Sequence, residues 1–359
     1  MKLHFAWLVA LSCYTGTVHA QVKCKDEAKN DADWSVFYVI PGSVDPQAYG
    51  AFSTAVKWTD NLVELKEDTG PLGELLKAFY DAKDTYNIIA YNDFPPNFRQ
   101  PSKCSSPVKG VLGYKDNDGW WLIHSVDKWP DLTENAFKPP PADAGLIVCI
   151  TLPFDQMEKW ATVVYYQDPV VYYFKSVANA ATSLESKDRL KALTIPAESV
   201  YTPYAKMDVI ENIGGAKVHL FGMLAQSNQD IYSTYMAPLL KQSLIAWTKP
   251  TKTEKLEASK CSTVYKLENV KPDSVITVKD KNVTREQDTA RWVISKKKSA
   301  KAVVCIVGDI ALLMEKAPSI AWSLEDEQLS QEWLAQEILS CLRYSPIGMV
   351  YYELPQTRA

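Results

Sequence analysis

Apolar runs rich in β-branched and aromatic residues recur along the chain and predict its strands. These runs cover residues 34–40, 86–91, 108–114, 120–126, 145–152, 216–221, 291–295 and 302–307. Two other stretches carry apolar residues at helical spacing: one begins at Pro71, and the second extends from about Ser323 to Leu342. Strands mixed with helices in this way indicate an α/β or α+β architecture.

The strand pattern lapses between residues 176 and 203. A boundary in that interval divides the chain, after a leader of residues 1–20, into an N-terminal lobe of residues 21–180 and a C-terminal lobe of residues 181–359. Lobes of this length are large enough to bury a core.

The composition excludes several kinds of chemistry. With 359 residues and a net charge of −4, the chain is not a basic clamp that holds nucleic acid by bulk charge. It has four histidines, and because His4 and His19 fall in the leader, His124 and His219 remain. A zinc cage of several histidines is therefore excluded, and no metal or other cofactor is expected.

Residues 1–20 have the features of a secretory signal. Lys2 precedes an apolar run, and Val18-His19-Ala20 is a small-x-small cleavage site. No later apolar run is long enough to cross a membrane, so we expect a soluble, secreted, extracellular protein. The sequon Asn282-Val283-Thr284 predicts N-glycosylation on a solvent-exposed loop. Six cysteines follow the leader, a number typical of disulfide-bonded exported proteins.

Several segments, in the same order along the chain, resemble the deoxyribonuclease II family of secreted and lysosomal acid endonucleases. They are Asp33-Trp34-Ser35-Val36-Phe37-Tyr38, Tyr91-Asn92-Asp93-Phe94-Pro95-Pro96, Lys109-Gly110-Val111-Leu112, Asp118-Gly119-Trp120-Trp121-Leu122-Ile123-His124-Ser125-Val126, Cys149-Ile150-Thr151-Leu152-Pro153-Phe154, Asp230-Ile231-Tyr232-Ser233 and Cys305-Ile306-Val307-Gly308-Asp309. Each segment alone is a weak signal, but together they cover most of the chain after the leader.

The resemblance implies a phospholipase D-like fold, in which two sheet-and-helix lobes related by a pseudo-twofold axis surround a shared cleft. In that family each lobe contributes one His-x-Lys motif. One histidine attacks phosphorus, the other protonates the leaving oxygen, and the lysines neutralise the phosphate oxygens. This chemistry needs no metal.

Both motifs are altered in this chain. Pro107-Val108-Lys109 stands where the first motif is expected, and Thr289-Ala290-Arg291 stands where the second is expected. Each keeps a cation and lacks the histidine. A proline ring can neither attack nor transfer a proton, and a threonine hydroxyl needs a neighbouring base. Asp309, which would orient a histidine in such a site, is left as a partner for Arg291.

Two interpretations of the retained cations stay open. Lys109 and Arg291 either hold a phosphate in the cleft or serve as salt-bridge partners. His124 matches a histidine of the family outside the two motifs, and a structural, hydrogen-bonded role is favoured for it over a catalytic one. Vestigial catalytic positions are thus Pro107, Lys109, Thr289 and Arg291.

The resemblance also implies a disulfide between Cys24 and Cys149. Cys261 with Cys341 is a plausible second pair. Cys104 and Cys305 flank the two altered motifs, and a bridge between them is conceivable on that ground alone.

These features predict a secreted, disulfide-bonded glycoprotein of this family that has lost nuclease activity and acts by binding. It resembles the catalytically inactive members in the secretions of parasitic nematodes, for which a host protein or other host material is the expected partner. Nucleic acid or another anionic ligand in the cleft is the alternative partner. The alternative functions are a divergent, metal-independent acid endodeoxyribonuclease and a non-cleaving nucleic-acid-binding protein.

Overall fold

A computed structural model describes most of the chain between residues 23 and 349. The described residues are 23–81, 85–101, 108–134, 136–143, 145–177, 182–195, 203, 205–223, 230–247, 259–270, 274–296, 304–307, 320–324, 344–345 and 348–349. The predicted leader, residues 1–20, lies outside them.

Eight strands form the first sheet, and every neighbouring pair is antiparallel. A ribbon of β1 (Cys24–Lys25) and β2 (Asp31–Ala32) precedes this sheet. The strands of the first sheet, in chain order, are β3 (Trp34–Val39), β4 (Gln47–Phe52), β5 (Val63–Glu64), β6 (Asn87–Tyr91), β7 (Gly110–Lys115), β8 (Asp118–His124), β9 (Gly145–Pro153) and β10 (Val171–Lys175). Across the sheet the order is β10-β6-β7-β8-β9-β3-β4-β5, which places β10 at one edge.

Seven strands form the second sheet, in the order β11-β12-β19-β18-β17-β13-β14. They are β11 (Ala205–Glu211), β12 (Lys217–Met223), β13 (Leu244–Trp247), β14 (Leu267–Asn269), β17 (Arg291–Ser295), β18 (Val304–Val307) and β19 (Ile320–Leu324). The β13–β14 pair is parallel and the others are antiparallel. Two further ribbons pair β15 (Val275–Val278) with β16 (Lys281–Thr284), and β20 (Tyr344–Ser345) with β21 (Gly348–Met349).

The two sheets share a pattern of strand order. In the first, the meander β7-β8-β9 continues into β3, a strand from earlier in the chain. In the second, the meander β17-β18-β19 continues into β12, also an earlier strand. Lys109 immediately precedes β7 and Arg291 begins β17. The two altered motifs therefore occupy corresponding positions in the two sheets.

The described residues form four short helices beside the sheets: α1 (Pro71–Asp81), α2 (Met157–Tyr165), α3 (Asp188–Ala192) and α4 (Ala237–Leu240), the last directly after a π-helical turn at Tyr232–Met236. Turns of 3-10 helix lie at Phe154–Gln156 and Leu184–Ser186. Within the described residues no helix has the length and apolar character needed to span a bilayer.

Strand alternation sorts the apolar side chains into layers. On β3, Val36 and Tyr38 belong to a core that also contains Leu220 of β12 and Trp292 of β17, so this core fills the space between the sheets. The alternate residue Phe37 faces the opposite side, where α1 packs. The π-helical turn and α4 cover the outer face of the second sheet. The result is a helix–sheet–sheet–helix stack, with the altered motifs at the interface of the sheets.

The predicted strands and the helix beginning at Pro71 are confirmed, with ends shifted by up to two residues. The start of the second predicted helix is wrong, because Ser323 and Leu324 end strand β19, which pairs with both β12 and β18. Strand pairing on both sides outweighs the helical spacing there. The rest of that predicted helix, residues 325–342, lies outside the described residues.

Candidate functional site

Two carboxylates hold the ammonium of Lys109. Its side chain is 3% exposed and forms ion pairs with the buried Asp93 and with Asp127, whose Oδ1 lies 3.2 Å from Nζ. Asp93 follows β6 and Asp127 follows β8, and these two strands flank β7. The three loops therefore meet at the same end of the strands. The cluster has one negative charge in excess, and that charge opposes the entry of a phosphate.

The side chain of Asn92 fixes the loops that carry these acids. Its amide nitrogen donates to the backbone carbonyls of Val126 and Trp129, at 3.3 and 3.0 Å. Its oxygen accepts the backbone N–H of Phe94 at 2.8 Å. Asn92 is fully buried, so these bonds replace those it would make with water. The loop after β6 is thereby tied to the loop after β8, which holds both carboxylates beside Lys109.

His124, the last residue of β8, is buried beneath this cluster. It is 2% exposed, and its Nδ1 accepts the backbone N–H of Val126 at 3.2 Å. The ring packs edge-on against Trp129, with centroids 5.1 Å apart. Burial, reinforced by the charge of Lys109, lowers the pKa of His124 to about 3. The imidazole is therefore neutral across the pH range of an acid endonuclease.

Thr289 packs against the end of β8. Its hydroxyl oxygen lies 2.9 Å from the hydroxyl oxygen of Ser125, which also accepts the backbone N–H of Leu146 at 3.0 Å. Gly145 closes the remaining space, since a Cβ on it would lie 2.7 Å from Thr289 Oγ1 and 2.9 Å from Ser125 Oγ. The Thr289 hydroxyl is thus engaged in a packed contact between the two sheets.

Arg291 is completely buried, and one nitrogen of its guanidinium turns back onto its own loop. Nη1 donates to the carbonyls of Thr289 and Ala290 at 2.6 and 2.7 Å, and more weakly to that of Asp288 at 3.4 Å. The orientation of the Arg291 guanidinium suits a structural cation better than one that reaches into a solvent-filled cleft.

Asp288 joins the two sheets through a buried hydrogen-bond network. It accepts the hydroxyl of Tyr38 on β3, the indole N–H of Trp247 on β13 at 2.7 Å and the backbone N–H of Ala290 at 2.8 Å. Burial raises the pKa of Asp288, an effect that these hydrogen bonds and the charge of Arg291 oppose. Burial and the neighbouring Asp288 also raise the pKa of Tyr38 well above its ordinary value.

Residues 23–313 match the deoxyribonuclease II family. The chain belongs to this family. Human deoxyribonuclease-2-beta is 25% identical to it over 348 residues, which cover 93% of this chain and 92% of the human protein. Deoxyribonuclease-2 of Caenorhabditis elegans is 23% identical over 281 residues, covering 68% and 74%. Plancitoxin-1 of Acanthaster planci is 25% identical over 326 residues, covering 86% and 88%.

Three of the site residues expected from the deoxyribonuclease II resemblance come together. Lys109 and His124 are adjacent, because the N–H of His124 donates to the carbonyl of Lys109 at 3.4 Å. Thr289 touches Ser125, the residue after His124. Arg291 lies two residues beyond Thr289 and points its Nη1 at that loop. Pro107 and Asp309 lie outside the described residues.

The Cys24–Cys149 disulfide implied by the family is confirmed, and it ties β1 to β9. Cys261 forms no disulfide within the described part of the chain, and its expected partner Cys341 lies outside that part. Cys104 lies outside it too, and Cys305 falls on β18 without a described side chain. A disulfide is consistent with passage through the secretory pathway.

Asn282 is exposed, as the sequon predicts, but it lies on strand β16 and not on a loop. Its side-chain oxygen accepts the hydroxyl of Thr277 across the ribbon at 3.0 Å. The ribbon pairs with neither large sheet, but Ile276, Val278 and Val283 pack into the core between the sheets.

Four residues of the site escaped the sequence interpretation: Asp93, Asp127, Ser125 and Asp288. Asp93 and Ser125 stand inside the family segments around Tyr91 and His124, so their position in those segments was the available signal. Nothing in the sequence marks Asp127 or Asp288. Asp127 matters because it contacts Lys109, which precedes another strand, and Asp288 because it contacts Tyr38, which is distant in sequence. No group of three or more acidic, histidine or cysteine side chains among the described residues is arranged to hold a metal ion.

Proposed function

We propose that this chain is a secreted, glycosylated deoxyribonuclease II family protein that has lost nuclease activity and acts by binding. One observation carries the proposal. At the position of the second motif histidine, the Thr289 side chain is hydrogen-bonded to Ser125 and packed against Gly145. The first motif has Pro107 in place of its histidine. Neither residue supplies a nucleophile with a base beside it.

The arrangement around Lys109 supports loss of phosphate handling as well. In the family reaction the motif lysine neutralises phosphate oxygens. Here the ammonium of Lys109 forms ion pairs with Asp93 and Asp127 instead. A phosphate that displaced Asp93 would break a buried ion pair, which costs several kcal/mol. The geometry therefore favours the interpretation in which Lys109 and Arg291 are structural counter-ions over the one in which they hold a phosphate.

A two-lobe, phospholipase D-like pseudo-dimer is our proposal for the arrangement of the whole chain. The shared strand order around β7 and β17, and the equivalent positions of Lys109 and Arg291, support it. We propose the boundary between the lobes at residue 180, which falls in the interval between β10 and β11.

The second candidate function is a divergent, metal-independent acid endodeoxyribonuclease that uses His124. Membership of the deoxyribonuclease II family and the position of His124 beside Lys109 favour it. The burial of the imidazole opposes it, because a substrate phosphorus must come within bonding distance of the attacking nitrogen. A third candidate, a nucleic-acid binder without cleavage, follows from DNA as the ligand that the family implies.

A plasmid-nicking assay separates the first two candidates. The secreted, glycosylated full-length chain is incubated with supercoiled plasmid from about pH 4 to 8, with and without chelator, beside porcine deoxyribonuclease-2-alpha as a positive control. We expect no nicking at any pH. Nicking that survives the chelator and disappears in His124→Ala, but not in the control His219→Ala, would overturn the proposal and establish His124 as catalytic.

DNA affinity measured against salt concentration tests the third candidate. A phosphate site at Lys109 predicts that Asp127→Asn, which removes a repelling charge on an exposed side chain, tightens DNA binding and steepens its salt dependence. The counter-ion interpretation predicts the same affinity as the unmodified chain. The double variant Lys109→Ala, Arg291→Ala, checked for folding by circular dichroism, should also leave any DNA affinity unchanged.

A further inference from the structure

A cavity of about 350 Å³ opens beside β10, the edge strand of the first sheet. Its lining includes Val170, just before β10, and Val171 and Phe174 of β10. It also includes Leu193 and Ile195, which follow α3. Its size is that of a pocket for a small organic molecule, and its walls are mainly apolar.

The mouth of this cavity exposes large apolar side chains to water. Phe174 and Ile195 are each 54% exposed, and both line this cavity. Covering such side chains contributes about 25 cal/mol for each Å² removed from water. An apolar molecule between them would gain this contribution from both sides, so the walls favour an apolar ligand.

A single carboxylate, that of Asp168, stands among these apolar walls. It lies just past the C-terminus of α2, where the partial charge of the helix dipole is negative, and its φ of 50° is left-handed. Asp168 is exposed to water, and partial burial raises the pKa of its carboxyl. Within the described part of the chain, neither a hydrogen bond nor an ion pair reaches this carboxylate. The helix C-terminus and the partial burial both disfavour a negative charge that has no counter-ion.

We propose that this cavity binds an organic cation with an apolar body, such as an arylalkyl ammonium ion. The ammonium would pair with Asp168 and receive added stabilisation from the C-terminus of α2, while the apolar body would lie between Phe174 and Ile195. A neutral molecule would leave the carboxylate without a partner, and an anion would be repelled by it. None of the residues that line the cavity belongs to the altered motifs, so the proposal stands whether or not the chain cuts DNA.

Three probes with one apolar body and different head groups test the assignment: phenethylammonium, 2-phenylethanol and 3-phenylpropionate. Isothermal titration calorimetry on the full chain at neutral pH should give a dissociation constant of about 1 mM or tighter for phenethylammonium. The alcohol should bind about fivefold more weakly, as expected for loss of one partly exposed ion pair. The carboxylate should bind more weakly still.

Two variants assign the contributions. In Asp168→Asn, which tolerates the same left-handed backbone, the preference for ammonium over alcohol should fall to within about twofold. In Phe174→Ala, all three probes should weaken together. Thermal unfolding curves confirm that both variants are folded. Equal affinity for the three probes, absence of ammonium binding, or an unchanged preference in folded Asp168→Asn would overturn the proposal.

Discussion

The hydroxyl oxygens of Ser125 and Thr289 lie 2.9 Å apart and join the two sheets. Ser125 follows β8 of the first sheet, and Thr289 precedes β17 of the second. The backbone of Gly145 fills the space beside both hydroxyls. The Thr289 side chain therefore takes part in a packed polar contact between the two sheets.

Replacing Thr289 tests this contact. Thr289→Val keeps the shape and removes the hydroxyl, so it should lower the free energy of unfolding by about 1 kcal/mol. Thr289→Ser keeps the hydroxyl and serves as the matched control. Thr289→His introduces a ring beside Gly145 and should cost about 1–3 kcal/mol by overpacking, without restoring plasmid nicking. Urea unfolding measures the three variants, and equal stability of the valine and serine variants would contradict the contact.

The strands and the helix beginning at Pro71 were predictable because alternation and helical spacing are local properties of the sequence. The beginning of the helix predicted at Ser323 failed because strand pairing is non-local: β19 is held between β12 and β18, which lie far from it in sequence. Spacing within a segment cannot report the partners on either side of it.

The resemblance predicts the substitutions at Pro107 and Thr289, but the sequence does not predict what Lys109 and Arg291 contact. A lysine before a strand looks the same whether it faces a cleft or a carboxylate. Lys109 is buried between Asp93 and Asp127 because β6, β7 and β8 are neighbours, and the loops at one end of these strands lie side by side. The side-chain orientation of Arg291 is equally invisible in the sequence.

The two carboxylates beside Lys109 should differ in their importance to stability. Lys109→Met leaves the buried Asp93 without its cation and should lower the free energy of unfolding by about 3 kcal/mol. Asp127 is 56% exposed, so Asp127→Asn should cost less than about 1 kcal/mol. Chemical denaturation of both variants measures the difference. Similar losses in the two would show that the ion pair with Asp93 is not the main stabilising contact of Lys109.

The buried carboxylate of Asp288 should couple the two sheets. Tyr38→Phe removes one of its donors and should cost about 1–2 kcal/mol. Asp288→Asn keeps the size but loses the charge opposite Arg291, and we expect a loss of about 3 kcal/mol. A double-mutant cycle of the two substitutions, measured by urea unfolding, gives their coupling. Strictly additive losses would mean that Tyr38 and Asp288 do not stabilise the interface of the sheets together.

The stability contributed by His124 should depend on pH in a defined direction. Its pKa falls from an ordinary value near 6.5 to about 3 in the folded chain, so folding favours the neutral imidazole. That contribution is complete above about pH 6.5 and is lost as the pH falls toward 3, at about 1.4 kcal/mol for each pH unit. Between pH 7 and 5 the unmodified chain should therefore lose about 2 kcal/mol more than His124→Gln, which cannot titrate. Urea unfolding at the two pH values measures this difference, and His219→Gln controls for the loss of a histidine elsewhere. A parallel pH dependence in the unmodified chain and His124→Gln would mean that the imidazole is accessible to protons, and would reopen the case for a catalytic His124.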